Sequence, residues 1–295
     1  MPVVKAAMTV SESLKPAFQE YAKTCEQLLR LSGYPLAIKM IEREADIPQL
    51  AKRPFRDFGY YLNTGQCFAL SRRIGEMIAQ KQEDMWCHEP AIGFGFTSGD
   101  RSAYEEGLKF QLEGRTRYPD GAKDIHTAKK MAKTYPRFEP DKYVAIVSAP
   151  LMRAGFEPDL VVLYVTPVQL NQILGAIMFE WGEDLPCNLS AAAGCVNYVV
   201  PAMQRNSFWV SIPCHGDIAF ASGQPDELVF SAPFNKVDKL LSAISKRAGH
   251  GRGLPLHYHF EPEGWLPKAY IEVAKKMKMH SSPRLEQMGH DTYGK

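Results

Sequence analysis

Two stretches of this chain, "YVAIVSAPL" at 143–151 and "PDLVVLYVTP" at 158–167, leave little freedom in the choice of fold. Val144, Ile146, Val161, Val162, Leu163, Tyr164 and Val165 make near-continuous, largely β-branched apolar runs. A strand with one wet face alternates apolar and polar residues, so an unalternated run belongs to a strand covered on both sides. The second run leads into "TPVQLNQILGAIMFEWG", a helix with Thr166 as cap and Pro167 at its first position. "ELVFSAPFNKVDKLLSAI" repeats the order of strand, proline-led turn and helix, which is a weak internal duplication. The expected fold is α/β: a mixed sheet flanked by helices, carrying a repeated strand–Pro–helix unit.

A chain of 295 residues buries a substantial core. We assign residues 1–248 to a single α/β domain. Beyond them "HGRGLPLHYHFEPEGWLPKAY" shifts to Pro, Gly and His, so 249–295 reads as a C-terminal extension. His257 and His259 have the spacing of one strand face, but an HxH without a carboxylate motif reads as ordinary loop sequence rather than a metal site. A hydrophobic content of 45% and a formal charge of +2 describe an ordinary soluble protein without a global pull toward nucleic acid or membrane. No apolar run approaches the roughly 20 residues that span a bilayer. The N-terminus also lacks a signal peptide's apolar region, so the expected location is cytoplasmic. A homodimer is the default assembly.

Between Arg115 and Lys142 lie eight Lys or Arg against four acids. Such a run reads first as a solvated face, and second as a dock for an acidic partner or a lid over an anion. No stacking aromatics accompany it, which disfavours nucleic acid. The GxGxxG and Walker patterns of nucleotide sites are absent.

The six cysteines are too sparse for a secreted disulfide scaffold. Cys25 sits on the apolar face of an amphipathic helix spanning 11–31 and reads as core; Cys187 stays ambiguous. The other four lie beside element ends. "SFWVSIPCHGDIAFASGQPDELVFSAPF" at 207–234 reads as strand, tight turn with Cys214, His215, Gly216 and Asp217, then strand. Cys67 falls in the first turn of a helix starting at Thr64 or Gly65, where the helix dipole lowers a thiol pKa. Cys87 and His88 precede a strand containing Gly93 and Gly95, and Cys195 lies in the small-residue segment "SAAAGCVNYVVPAMQ". Lys39 is the one charge in the strand "PLAIKMI", either an edge residue or an anion-binding group. Arg72 and Arg73 read first as a solvated helix face, with Arg73 a candidate for substrate binding.

"YPLAIKM", "QCFALSRRIGEMIAQ", "CHEPAIGFGF", "SAPLMRAGFEPDLVVLYVTPVQLNQILGA", "GCVNYVVPA" and "IPCHGD…DELVFSAPFNKVDKLL" stand in the order seen in domain-of-unknown-function family 169. Over roughly residues 25–247 the chain resembles this family of soluble proteins from anaerobic bacteria and archaea. The resemblance carries no settled activity. It implies cysteines at the positions of Cys67, Cys87, Cys195 and Cys214 and leaves Cys25 and Cys187 outside the pattern. The chain departs from that pattern at His88, Glu89 and Pro90, where a glycine pair is usual. It departs again at Asp217 and Ile218, where a basic residue is usual.

Four thiolates can hold zinc or an iron–sulfur cluster. Ligands this far apart in sequence argue for a cluster or catalytic site over a zinc ribbon. The leading expectation is a 4Fe–4S protein of anaerobic metabolism, serving electron transfer or a reductive or lyase reaction on a small, potentially anionic substrate. Cys67, Cys87, Cys195 and Cys214 would ligate the cluster. Lys39, His88 and His215 would handle anions or protons, and Lys39 and Arg73 would bind substrate. Zinc, or no cofactor at all, is the alternative filling. A second reading is metal-free thiol chemistry, with Cys67 as nucleophile and His88 or His215 as base. A third is an accessory subunit of a larger enzyme, docking through 115–142. The partners expected are a small molecule or a redox protein.

Overall fold

The fold is described by a computed structural model covering residues 15–185, 187, 189–254, 266–277 and 289–290. The two histidines at 257 and 259 lie outside the described residues. Six strands build the main sheet: β1 (Leu36–Ile41), β2 (Ile78–Gln80), β3 (Ala145–Pro150), β4 (Leu160–Val165), β5 (Trp209–Ser211) and β6 (Leu228–Pro233). Their order is β2-β3-β1-β4-β6-β5, and every ladder is antiparallel. At the edges of this sheet isolated parallel bridges join Lys52 to Ile78 of β2 and Cys187 to Val210 of β5; a separate parallel pair links Leu266–Pro267 with Gly289–His290. The α/β class thus holds, and the mixture of strand directions resides at the edges. Unalternated apolar runs report burial on both faces; they say nothing of strand direction.

Around the sheet lie α1 (Lys15–Leu29), α2 (Thr64–Ala69), α3 (His88–Gly93), α4 (Arg101–Leu112) and α5 (Ile125–Thr134). Following them come α6 (Pro167–Trp181), α7 (Gly194–Arg205), α8 (His215–Phe220) and α9 (Phe234–Arg247). The two-residue period of β4 divides its side chains between two cores. Val161, Leu163 and Val165 pack with Phe18 and Leu29 of α1, Ile173 and Ile177 of α6, and Leu240 of α9. Leu160, Val162 and Tyr164 pack on the opposite face with Phe68 of α2, Phe94, and Val196, Tyr198 and Val199 of α7. Each of these larger side chains, when fully buried, contributes roughly 1.5–3 kcal/mol, so the two cores supply most of the driving force. Cys25 belongs to the first core, as its helical position implied.

The repeat is physical. β4 and β6 are neighbours, and the helices that follow them, α6 and α9, pack together on one face. Thr166 and Gln169 form a reciprocal capping box at the start of α6, with Pro167 in the first turn.

Four local readings change. The helix at Thr64 begins as expected, capped by Asn63, but α2 ends at Ala69; a π-helical turn over Leu70–Ile74 follows and closes at Gly75 with φ 89°, and Ile78–Gln80 is an edge strand. Residues 88–93 are helix rather than strand, with Cys87 as N-cap. In the 207–234 stretch both expected strands are present, as β5 and β6, but the turn at Cys214–Asp217 opens the helix α8. Cys195 lies in the first turn of α7, whose cap Ala193 adopts φ 53°. The capping pair Cys214 and Asp217 starts α8 by satisfying backbone N–H groups that a helix start leaves unpaired.

Candidate functional site

The starts of α2, α3, α7 and α8 meet on the second face of the sheet around a pocket of about 300 Å³. Its lining includes Cys87, Cys195, Cys214, His88, His215, Glu89, Arg117 and Asp217. Three of the four expected cysteines therefore come together. Cys67 does not line the pocket: it is 2% exposed within α2, and the Asn63 carbonyl accepts its backbone N–H at 3.2 Å. Burial, reinforced by the nearby Asp84 charge, pushes the Cys67 thiol up, opposite to the lowering expected from its helix position. Desolvation of the thiolate outweighs the dipole of a six-residue helix here.

The sulfur that does occupy a helix cap is Cys214. Its Sγ accepts the Asp217 backbone N–H, while Asp217 Oδ2 accepts the Cys214 N–H at 3.1 Å. Backbone N–H groups of Gly194 and Gly216 also favour the Cys214 thiolate. Burial, followed by the Asp217 charge, still leaves the Cys214 thiol raised. The Cys87 thiol donates to Glu89 Oε2 at 3.0 Å and is raised by burial and by that carboxylate. Cys195 is raised by burial and by Asp217. All three are protonated thiols at neutral pH, and a cation or metal that replaces the proton would relieve the cost of burying a bare thiolate.

Two carboxylates shape the pocket. Asp217 is 3% exposed, and its carboxyl fits because Gly65 and Gly194 lack side chains; a Cβ on Gly194 would stand 2.5 Å from Asp217 Oδ2, and one on Gly65 would collide with Oδ1. Burial raises the Asp217 pKa, only partly offset by the Cys214 N–H and by Arg72. Glu89 behaves in the opposite way. Burial pushes its carboxyl up, but His88, the Cys87 thiol and Arg117 together hold it below the usual carboxylate range. Arg117 Nη2 donates to Glu89 Oε1, and Arg117 Nε donates to the Tyr135 hydroxyl at 3.1 Å. His88 Nε2 stands 3.5 Å from the same Glu89 oxygen.

Beneath the pocket the polar groups continue inward. The Tyr164 and Tyr198 hydroxyls are 3.0 Å apart, and the Arg72 guanidinium stacks 3.9 Å above the Tyr164 ring. Arg72 is thus no solvated residue: its side chain is 1% exposed and pairs with Glu227 at 3.0 Å. Arg73 also pairs with Glu227, at 3.0 Å, and donates to the Ser32 carbonyl, beside a separate groove. Lys39 pairs with Asp159 at 3.4 Å. Lys39 lies opposite Val147 in the β1–β3 register, and Val147 faces the α1/α6/α9 core. Strand parity thus sends Lys39 to the wrong side of the sheet, so the pocket contains neither Lys39 nor Arg73.

His88 and His215 are both exposed at the pocket. Glu89, Arg117, Thr116, Asn63 and Trp86 also line it, though reasoning from the sequence gave none of them a role. Two signals were available: the "NTGQ" capping box that places Asn63 at a helix start, and Glu89 two residues after a cysteine in a segment that departs from its relatives. Arg117 was diluted in the basic run. Among the described residues, no three His, Cys, Asp or Glu side chains gather closely enough to hold one ion. No described helix is long and apolar enough to cross a membrane.

No solved structure matches the chain. An uncharacterised protein of Methanocaldococcus jannaschii, MJ0308, is 28% identical over 123 residues, covering 41% of this chain and 52% of that protein. The chain's match thus spans about half the length of that curated relative. The profile of DUF169, described as uncharacterised ArCR, matches residues 25–243, a span that contains all three pocket cysteines, and the chain belongs to this family.

Proposed function

We propose that the pocket seats an iron–sulfur centre of the 4Fe–4S type, held by Cys87, Cys195 and Cys214, in a protein that transforms a small substrate or passes electrons in anaerobic metabolism. The observation that supports this reading is the placement of three thiols, from the starts of three separate helices, around one pocket. The donor set fits a polynuclear centre better than a single zinc ion. Zinc needs all its ligands at about 2.0–2.3 Å from one point, whereas a cluster presents a different iron to each thiolate. The N–H groups around Cys214 suit a cluster sulfur, since hydrogen bonds to ligand sulfurs tune the potential. Held by Cys87, Cys195 and Cys214, such a centre would supply Lewis-acid or redox chemistry to the pocket. His88 and His215 stand beside that space as candidates for proton transfer, in place of the Lys39 and Arg73 roles. A cytoplasmic setting, which keeps thiols reduced, is part of the proposal.

Iron and zinc content with an absorption spectrum, on protein purified without oxygen, tests the reading. Broad thiolate-to-iron absorption and bound iron are expected, lost on Cys87→Ser, Cys195→Ser or Cys214→Ser and kept on Cys67→Ser. Iron that survives all three pocket changes, or its absence from the natural chain, sinks the proposal.

A second reading rests on the backbone N–H groups aimed at Cys214. In metal-free thiol chemistry Cys214 would be the nucleophile, with His215 or His88 as base, rather than Cys67. A colourless protein alkylated first at Cys214 by iodoacetamide would favour it.

A further inference from the structure

The hydrogen-bonding capacity left open in the cysteine pocket is lopsided. Both of its carboxylates are already engaged: Glu89 by the Cys87 thiol and Arg117, Asp217 by the Cys214 N–H. The donors are not. The Thr116 hydroxyl is buried and has no partner among the described residues. Arg117, which lines the same pocket, spends Nε on Tyr135 and Nη2 on Glu89, which leaves Nη1 without a bond among the described residues. The Asn63 side-chain oxygen accepts the Gln66 N–H at 2.7 Å, leaving its amide N–H groups uncommitted among the described residues. A buried hydroxyl without a partner is costly, and its neighbourhood is where a bound group with lone pairs gains most. The lining also includes an apolar part, made by Pro90 and the alanines 191–193.

From this imbalance we infer that the pocket binds a small monocarboxylate, its oxygens received by Arg117 Nη1 and the Thr116 hydroxyl and its apolar body against Pro90 and the alanine wall. One free guanidinium nitrogen and one free hydroxyl supply a donor for each oxygen of a carboxylate, the first of them charge-assisted. Glu89 already neutralises much of the Arg117 charge, which favours a monoanion over a phosphate dianion. The inference names the substrate class for the site proposed above and so rests on that pocket being the reactive one.

Titration calorimetry on the full chain, with benzoate and propionate as probes and benzamide and inorganic phosphate as controls, tests it. Saturable binding of a carboxylate is expected, with benzamide and phosphate at least about tenfold weaker, the loss of one charge-assisted hydrogen bond. Arg117→Gln should weaken carboxylate binding by a similar factor or more, although it also unpairs the buried Glu89. Thr116→Val avoids that problem, because the hydroxyl makes no bond among the described residues. It should leave the thermal midpoint of the ligand-free protein unlowered, and raise it if the orphaned hydroxyl is costly, while weakening benzoate about tenfold. Unchanged affinity in Thr116→Val, equal binding of benzamide, preference for phosphate, or no saturable carboxylate binding overturns the inference. Iron content measured on the same samples separates this outcome from the cluster proposal: benzoate binding by an iron-free protein would uphold the ligand class and reject the cluster.

Discussion

The two faces of the sheet were built from the same strands and serve different ends. Toward α1, α6 and α9 the buried strand side chains are apolar, among them Ala37, Val147, Val161, Leu163, Phe230 and Ala232, and the one charge, Lys39, is only partly buried and pairs with Asp159. Toward α2 and α7 the same strands present Gln80, Ser148, Tyr164, Ser211 and Ser231, all buried. Behind them stand Arg72, Asp217 and Glu227, also buried. The first face is a closed core that holds the fold together. The second carries buried polarity that contributes little net stability and leaves room for a pocket. A layer that must be both core and site divides its labour by strand parity.

This contrast can be broken or sharpened by substitution. The largest effect expected is from Arg72→Ala, which strips Glu227 and the Ser222 carbonyl of their buried partner. It should cost about 3–5 kcal/mol in denaturant unfolding. A loss well under 1 kcal/mol would mean that water enters the polar face freely. Leu163→Ala on the closed face should cost about 2–5 kcal/mol while leaving iron binding intact in the folded fraction. Coupled loss of iron there would show that the faces are not independent. Gly65→Ala places a methyl against the Asp217 carboxyl, with an expected cost of about 1–3 kcal/mol and a distorted pocket visible as weakened metal or carboxylate binding. Tyr198→Phe removes one hydroxyl of the 3.0 Å Tyr164 pair and should cost about 1–2 kcal/mol.

The smallest effect is a pH dependence of opposite sign for the two pocket carboxylates. Glu89 titrates below the usual range when folded, so its stabilisation is complete above the unfolded Glu pKa and is lost as pH falls through the lowered folded value. Asp217 titrates above the usual range, so stability declines as pH rises from the unfolded Asp pKa through the raised folded one. Unfolding curves of metal-free protein should show Glu89→Gln removing acid-side loss and Asp217→Asn removing the decline at higher pH. Identical pH profiles for both variants would contradict the opposed environments.

Cys67 and Cys214 show why the site was only partly legible. Both lie near helix starts, and from local sequence Cys67 had the stronger claim to a lowered pKa. Burial decides otherwise, and burial depends on what packs against the helix from elsewhere in the chain. Cys214 gains its N–H donors partly from Gly194, twenty residues away, which no local pattern announces. The short helices α3 and α8 were likewise hidden, since six residues give too little periodicity to separate helix from strand.

The sequence by itself determined the two-sided burial of β4, the capped helix α6, the strand–helix repeat and the core role of Cys25, because each follows from period, cap or composition within a few residues. Tertiary structure alone decided that the ladders run antiparallel, that strand parity turns Lys39 from the pocket, and that Cys87, Cys195 and Cys214 meet while Cys67 does not. Those outcomes depend on contacts between segments far apart in the chain, where desolvation and register outweigh local preference.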